Sequence, residues 1–209
     1  AILAAPAVRA AGASVVRILG TACGLGIEGS GWVAAPGIVV TNAHVVAGEE
    51  DTQVEEGGNS SGLPAQAIDV DPKDDIAVLR VPDLRAPVLS LAPNPQAGTA
   101  AAILGYPEDG PLDAEPGRVG QTLDVHTENA YGQGPILRSV TQLLGFVRPG
   151  NSGGPMVAAN GQVEATVFAA VTGSPAGGGF AVPNSLVRQQ LKLAESRGTT
   201  VSTGPCTSS

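Results

Sequence analysis

The chain is predicted to be an all-β protein, two β-barrels followed by one C-terminal helix, and three observations carry that reading. Its 209 residues include 29 glycines and 17 prolines without a collagen-like period, which implies many tight turns between short strands. Hydrophobic residues make up 43% while aromatics are only 3% and charged residues 14%, so the core must be built from Ala, Val, Ile and Leu, and a disordered chain is excluded. Helical spacing occurs only over residues 184–197, with Leu186, Val187, Leu191 and Ala194 on one face.

The strands follow in order. Residues 14–19 form a first strand ended by Gly20, and residues 30–34 and 37–41 form a hairpin turning at Ala35-Pro36-Gly37. The polar, acidic stretch 49–62 is expected to be a surface loop. Residues 65–70 and 76–81 are two more strands. Residues 84–98 carry three prolines and no long apolar run, which marks a linker between two similar β halves. The second half continues through 100–107, 118–126, 136–144, 162–171 and 179–182. Asn184 or Ser185 is expected to cap the final helix and Gly198 to end it.

A net charge of −8 with only two lysines, Lys73 and Lys192, argues against a nucleic-acid partner, which needs clustered cations to displace counterions. No stretch approaches the 18 or so apolar residues that cross a membrane. Cys23 and Cys206 lie near opposite ends with no further ligands close by, so no metal site is expected. One disulfide is the better reading, with two unpaired thiols as the alternative. A disulfide would place the chain outside the cytoplasm.

Gly150-Asn151-Ser152-Gly153-Gly154-Pro155 is the strongest local signal. A serine hydroxyl becomes a useful nucleophile only when a base takes its proton and donors stabilise the oxyanion it creates. Flanking glycines allow the tight turn that presents successive N–H groups, although a plain Gly-rich turn has the same composition. Thr41-Asn42-Ala43-His44-Val45-Val46 supplies a histidine at the end of an apolar strand, where a lone histidine is more often a rim residue. His126 sits in a charged stretch and reads as a surface side chain. Asp74-Asp75 enters the apolar run Ile76-Ala77-Val78-Leu79, as turn and cap residues often do.

Order separates these alternatives. Gly150-x-Ser152-x-Gly154 also satisfies the nucleophile elbow of α/β-hydrolases, but that fold places its histidine after the serine and none follows Ser152. A subtilisin arrangement needs an aspartate before the histidine, and none precedes His44. The order His, Asp, Ser remains, which is that of the chymotrypsin-type double barrel.

The chain resembles the trypsin-like serine proteases of the chymotrypsin fold, close to bacterial HtrA-type sequences. The matching stretches are 41–46, 74–81, 150–155 and Gly179-Phe180-Ala181-Val182-Pro183; no PDZ-like segment accompanies them. Gly29-Ser30-Gly31-Trp32, Leu104-Gly105-Tyr106-Pro107 and the far-separated cysteines are similar to the actinobacterial membrane-anchored acid-resistance proteases, the MarP-like group.

The resemblance implies two six-stranded antiparallel barrels with a C-terminal helix. Residues 1–95 would carry His44 and Asp75, residues 96–183 would carry Ser152, and residues 184–209 would form the helix and a disulfide-tethered tail. It implies a serine endopeptidase acting on peptide or protein substrates through an acyl-enzyme, without metal or cofactor. The location implied is periplasmic or extracellular, in stress or acid response, with a membrane anchor preceding this chain in the full-length protein.

Ser152 would attack, His44 would move the proton, and Asp75 would orient the imidazole. Asp75 is preferred over Asp74 because it directly precedes the Ile-Ala-Val-Leu strand. The oxyanion hole would be built from Gly150, Asn151 and Ser152. Asn151 stands where pancreatic-type proteases have an aspartate that receives a newly cut N-terminus, so activation by that ion pair is not expected. The base of the primary pocket would fall near Phe146, which is not acidic, so a preference for Arg or Lys is not expected. Val167, Phe168, Ala169 and Ala170 resemble the strand that pairs with bound peptide. Two other readings share these residues: a latent peptide-binding domain and an esterase.

Overall fold

A computed structural model describes residues 1–58 and 61–207. The first half is one curled sheet of seven strands: β1 (Val15–Ala22), β2 (Leu25–Ala35), β3 (Ile38–Thr41), β4 (Gln53–Glu56), β5 (Leu63–Pro64), β6 (Gln66–Asp71) and β7 (Ile76–Arg80). They lie in the order β5-β4-β1-β2-β3-β7-β6. The second half has six: β8 (Ala100–Gly105), β9 (Asp113–Thr127), β10 (Ile136–Leu144), β11 (Pro155–Ala158), β12 (Val163–Ala170) and β13 (Gly179–Pro183). Their pairings run β10-β13-β12-β11-β8-β9 and return from β9 to β10.

The molecule is therefore not two closed six-stranded barrels followed by a single helix. The first sheet has a strand more than expected, and its end strands β5 and β6 are successive segments separated by Ala65 alone, so they run end to end and form no ladder. Pro64 also lacks the N–H that a further neighbour would need. The extra strand β4 lies in the stretch expected to be a loop. Val54 is its one fully buried residue, and β4 pairs with β1 from Val16↔Glu56 to Leu19↔Gln53. A single apolar residue among acids leaves no alternating pattern to read. Residues 59 and 60 of the expected loop lie outside the described residues.

Two further helices precede the terminal one. Helix α1 (Pro6–Ala11) opens on a proline, whose fixed φ suits a first turn, and buries Val8 and Ala11 at i, i+3 spacing. Helix α2 (Ala43–Val46) is a single turn after β3. Helix α3 (Asn184–Arg197) ends at Gly198, which is left-handed and donates its N–H to the Ala194 carbonyl at 3.0 Å. Its start has no side-chain cap. Asn184 Nδ2 instead donates to the carbonyls of Ala92 and Val163, at 3.1 and 2.8 Å, tying the helix to the linker.

The largest apolar cluster spans both sheets, with Val15, Trp32, Val40 and Ile76 from the first packed on Ala102, Leu104, Tyr106, Val157 and Val182 from the second. The linker runs along this seam, where Leu89 N–H donates to Val33 and Ala92 N–H to Val163. After α3, residues 199–207 return across the first sheet. Val201 N–H donates to Ala67, Thr203 Oγ1 donates to the Glu49 carbonyl, and the Cys23–Cys206 disulfide fastens the end. Among the described residues no helix is long and apolar enough to cross a membrane.

Candidate active site

The site forms where the two sheets meet. Strand β3 ends at Thr41, and the one-turn helix after it presents the His44 ring. The turn before β7 presents Asp75, whose φ of +57° is in the left-handed region that a residue with a side chain seldom occupies. Three contacts hold it there. His44 N–H donates to Asp75 Oδ1 at 2.8 Å, His44 Nδ1 meets Oδ2 at 2.6 Å, and Asn42 Nδ2 donates to the Asp75 carbonyl at 2.9 Å. The carboxylate is 5% exposed, so it faces the imidazole and little water.

Burial disfavours the imidazolium of His44, but the charge of Asp75 and its hydrogen bond outweigh that, so the pKa is held above the ordinary histidine value. The cation of Arg138 acts with burial to pull it down. Asp74 points elsewhere: burial, then Asp71, raise its pKa, and its carbonyl accepts Nη2 of Arg138 at 2.9 Å.

Ser152 comes from the loop between β10 and β11. That loop is braced on three sides. Ser30 N–H donates to the Ser152 carbonyl at 2.9 Å and Ser30 Oγ to the Gly150 carbonyl at 2.6 Å, so strand β2 grips it from the other half. Glu108 N–H donates to Pro149. Arg148 is anchored on Asp113 at 2.6 Å, with Glu115 at 3.5 Å and Glu108 at 3.8 Å. At Gly153, φ is +89° and a Cβ would collide with the Ser30 carbonyl, so only glycine fits.

These contacts leave two backbone donors free. Asn151 N–H donates to Arg148 and Gly153 N–H to Val167, whereas the N–H groups of Gly150 and Ser152 make no hydrogen bond among the described residues. Ser152 Oγ donates to the Phe168 carbonyl at 3.4 Å, and no hydrogen bond joins it to His44. Phe168 sits at a bulge in β12, where pairing with β13 jumps from Val167↔Ala181 to Ala169↔Phe180, which turns its carbonyl toward the serine.

Of the expected peptide-pairing residues, Val167 is buried, Phe168 and Ala169 are half-buried, and Ala170 is exposed. Phe146 is 58% exposed beside Gly177. A cleft of about 320 Å³ opens on His44 and Asp75, walled by Phe168, Arg138, the tail residue Thr207 and the β9–β10 hairpin at Tyr131. That hairpin is pinned by Ala130 N–H on Pro72 and by Tyr131 Oη on Thr203.

Ser30 and Arg138 were not singled out from sequence as site residues. Arg138 did carry a signal, being the one cation inside the apolar run 136–144.

The trypsin-like peptidase domain family matches residues 29–165. The chain belongs to this family. It is 35% identical over 207 residues to the serine protease Rv3671c of Mycobacterium tuberculosis, covering 97% of this chain and 51% of that protein. It is 35% identical over 183 residues to the serine protease HTRA1A of Danio rerio, covering 83% and 37%. The chain thus spans about half the length of the first relative and less of the second.

Among solved structures, the active form of Rv3671c superimposes with a TM-score of 0.90 at 36% identity, covering 98% of this chain and 90% of that one. An inactive form of the same protein gives 0.78 at 35% identity, covering 93% and 94%. The expected kinship with the MarP-like actinobacterial proteases is shown by these similarities, and the disulfide is present.

Proposed function

We propose that this chain is a serine endopeptidase that cleaves protein substrates through His44, Asp75 and Ser152. The observation that carries the reading is the imidazole held by Asp75 at 2.6 Å on one side of the seam while the free N–H groups of Gly150 and Ser152 stand on the other. Residues 1–95 then supply the base and the carboxylate that orients it, residues 96–183 the nucleophile, and residues 184–207 the final helix and the strap.

Ser152 Oγ bonds to the scissile carbonyl carbon as its proton passes to His44 Nε2, and Asp75 stabilises the imidazolium. The oxyanion is received by the N–H groups of Gly150 and Ser152. Asn151 takes no part, since its N–H is already engaged by Arg148. Removing one such donor typically costs about 10²–10³ in rate. The C–N bond then breaks with the proton going from His44 to the leaving amine, and water hydrolyses the acyl-enzyme by the same route in reverse.

Peptide would add along Val167, Phe168, Ala169 and Ala170, displacing the Ser152 hydroxyl from the Phe168 carbonyl toward His44. With no acid at Phe146, the residue cleaved after is not basic. The better superposition on the active form of Rv3671c than on the inactive form supports an assembled site. The disulfide and the relatives named probable periplasmic serine endoproteases support work outside the cytoplasm. The stress or acid response and a membrane tether outside this chain are the further parts of the reading, carried by the MarP-like kinship alone.

The test is labelling with a fluorophosphonate, mapped by mass spectrometry, beside Ser152→Ala. Labelling at Ser152 that the variant abolishes is expected. A folded protein that takes no label is a latent peptide-binding domain, and the proposal fails.

A further inference from the structure

Arg138 lies on β10, in the half that bears Ser152, and is 3% exposed. Its guanidinium stacks on the Phe168 ring, 4.2 Å from the centroid. Its Nη2 reaches across the seam to the Asp74 carbonyl at 2.9 Å, and its Nε has no partner among the described residues. A buried cation with an unsatisfied donor is an expensive way to fill space, and an apolar side chain over Phe168 would pack as well. What Arg138 does that an apolar residue would not is tie together two parts of the site from different sheets. The Asp74 carbonyl belongs to the peptide that leads into Asp75 at its left-handed φ, and Phe168 supplies the carbonyl that holds Ser152 Oγ.

We propose that Arg138 is a positioning residue that couples Asp75 and His44 in one sheet to Ser152 in the other by clamping the Asp74 carbonyl against the Phe168 ring. The inference rests on the reading of His44, Asp75 and Ser152 given above. The charges around the imidazole come from every neighbouring element. Asp71, Lys73, Asp74 and Asp75 stand on the β6–β7 turn, Arg138 on β10, and Glu128 and Tyr131 on the β9–β10 hairpin. Arg138 is the cation that acts directly on His44, so its loss raises the imidazole pKa.

The experiment compares wild type, Arg138→Met and Arg138→Lys on an extended peptide substrate across pH, with melting curves. In parallel, the His44 imidazole is titrated by NMR in the Ser152→Ala background. Arg138→Met is expected to lower kcat by roughly ten- to a hundred-fold with KM little changed, the scale of a misplaced catalytic group. The acid limb of kcat/KM and the imidazole titration should both move to higher pH. Arg138→Lys keeps a point charge but not a planar stack, so it should keep the acid limb near wild type while recovering only part of kcat.

Wild-type kcat with an unmoved acid limb in Arg138→Met overturns the proposal. So does a rate loss that follows melting temperature while the imidazole titrates as before. If Arg138→Met does not fold, wild-type kcat in Arg138→Lys overturns it. Failure of the protease reading is separately visible: wild type would take no fluorophosphonate label even if the imidazole titration moved with Arg138.

Discussion

Glu49 offers a stability test whose size follows from its surroundings. The residue is 3% exposed, its Oε2 accepts the Thr52 hydroxyl at 2.7 Å, its Oε1 has no partner among the described residues, and the carboxyl packs directly against Gly20. Burial pushes its pKa from 4.5 up to about 7, with Asp51 adding to the rise and Thr52 opposing it. The folded chain then holds a proton that the unfolded chain releases between these values, so stability is highest below 4.5 and falls as pH rises through 7. At about 1.4 kcal/mol per pKa unit the ceiling is about 3 kcal/mol, and solvent screening brings it to about 2.

Glu49→Gln keeps the shape and an acceptor for Thr52 but cannot ionise. For a chain of this length, about 2 kcal/mol corresponds to roughly 4–8 °C in melting temperature. Calorimetric melting from about pH 4 to about pH 8 should show the two proteins nearly equal at the acid end and the variant higher by that amount at the alkaline end. Asp69, raised by burial to about 6, titrates in both and drops out of the difference. A gap that stays constant across pH, or a variant less stable than wild type at pH 8, would refute the reasoning.

Two other perturbations test the seam and the strap. Ser30→Ala removes the donor to the Gly150 carbonyl and the acceptor for Tyr106 N–H, both inside the fold. It should cost about 1–3 kcal/mol in denaturant unfolding and slow labelling at Ser152, while a neutral effect on both would show that β2 does not brace the loop. Replacing Cys23 and Cys206 by serine opens a loop of 183 residues. The chain-entropy ceiling is about 5 kcal/mol, so melting should fall by about 10 °C or more, and an unchanged curve under oxidising conditions would refute it.

The candidate residues were legible because acyl transfer constrains both type and order: a serine among glycines, a histidine before it, and an aspartate between them at the mouth of an apolar strand. Type and order fit Asp74 as well; the resemblance, in which the aspartate directly precedes the apolar strand, is what favours Asp75, and in the structure the Asp74 carbonyl and carboxyl are turned to other partners. Strand β4 was hidden because one buried valine among glutamates has no period, and α1 because six residues of Ala, Pro, Val and Arg are too few to show one. The seven-stranded order was illegible for a different reason. It depends on β5 and β6 meeting end to end across Ala65, a matter of long-range pairing that no local pattern records. Arg138 and Asp74 are 64 residues apart, and Ser30 and Gly150 are 120 apart, so their contacts exist only once both sheets have formed.

Protons act on this molecule in two opposed ways. Glu49 and Asp69, with Glu28, Asp74 and Glu164, are carboxyls whose pKa burial raises, so acidification from neutral pH removes buried charge and strengthens the fold. On the mechanism proposed above, His44, whose pKa is also raised, must be unprotonated to act as a base, so the same acidification would weaken turnover beginning above its ordinary value of 6.5. The acid response implied by the resemblance then depends on whatever lowers the His44 pKa against the pull of Asp75. Burial does part of this, and the charge that helps it is Arg138. The clamp that sets the geometry of the site is thus also the group that extends its working range toward acid, which is why the position of the acid limb in Arg138→Met, more than the loss of rate alone, decides what that residue is for.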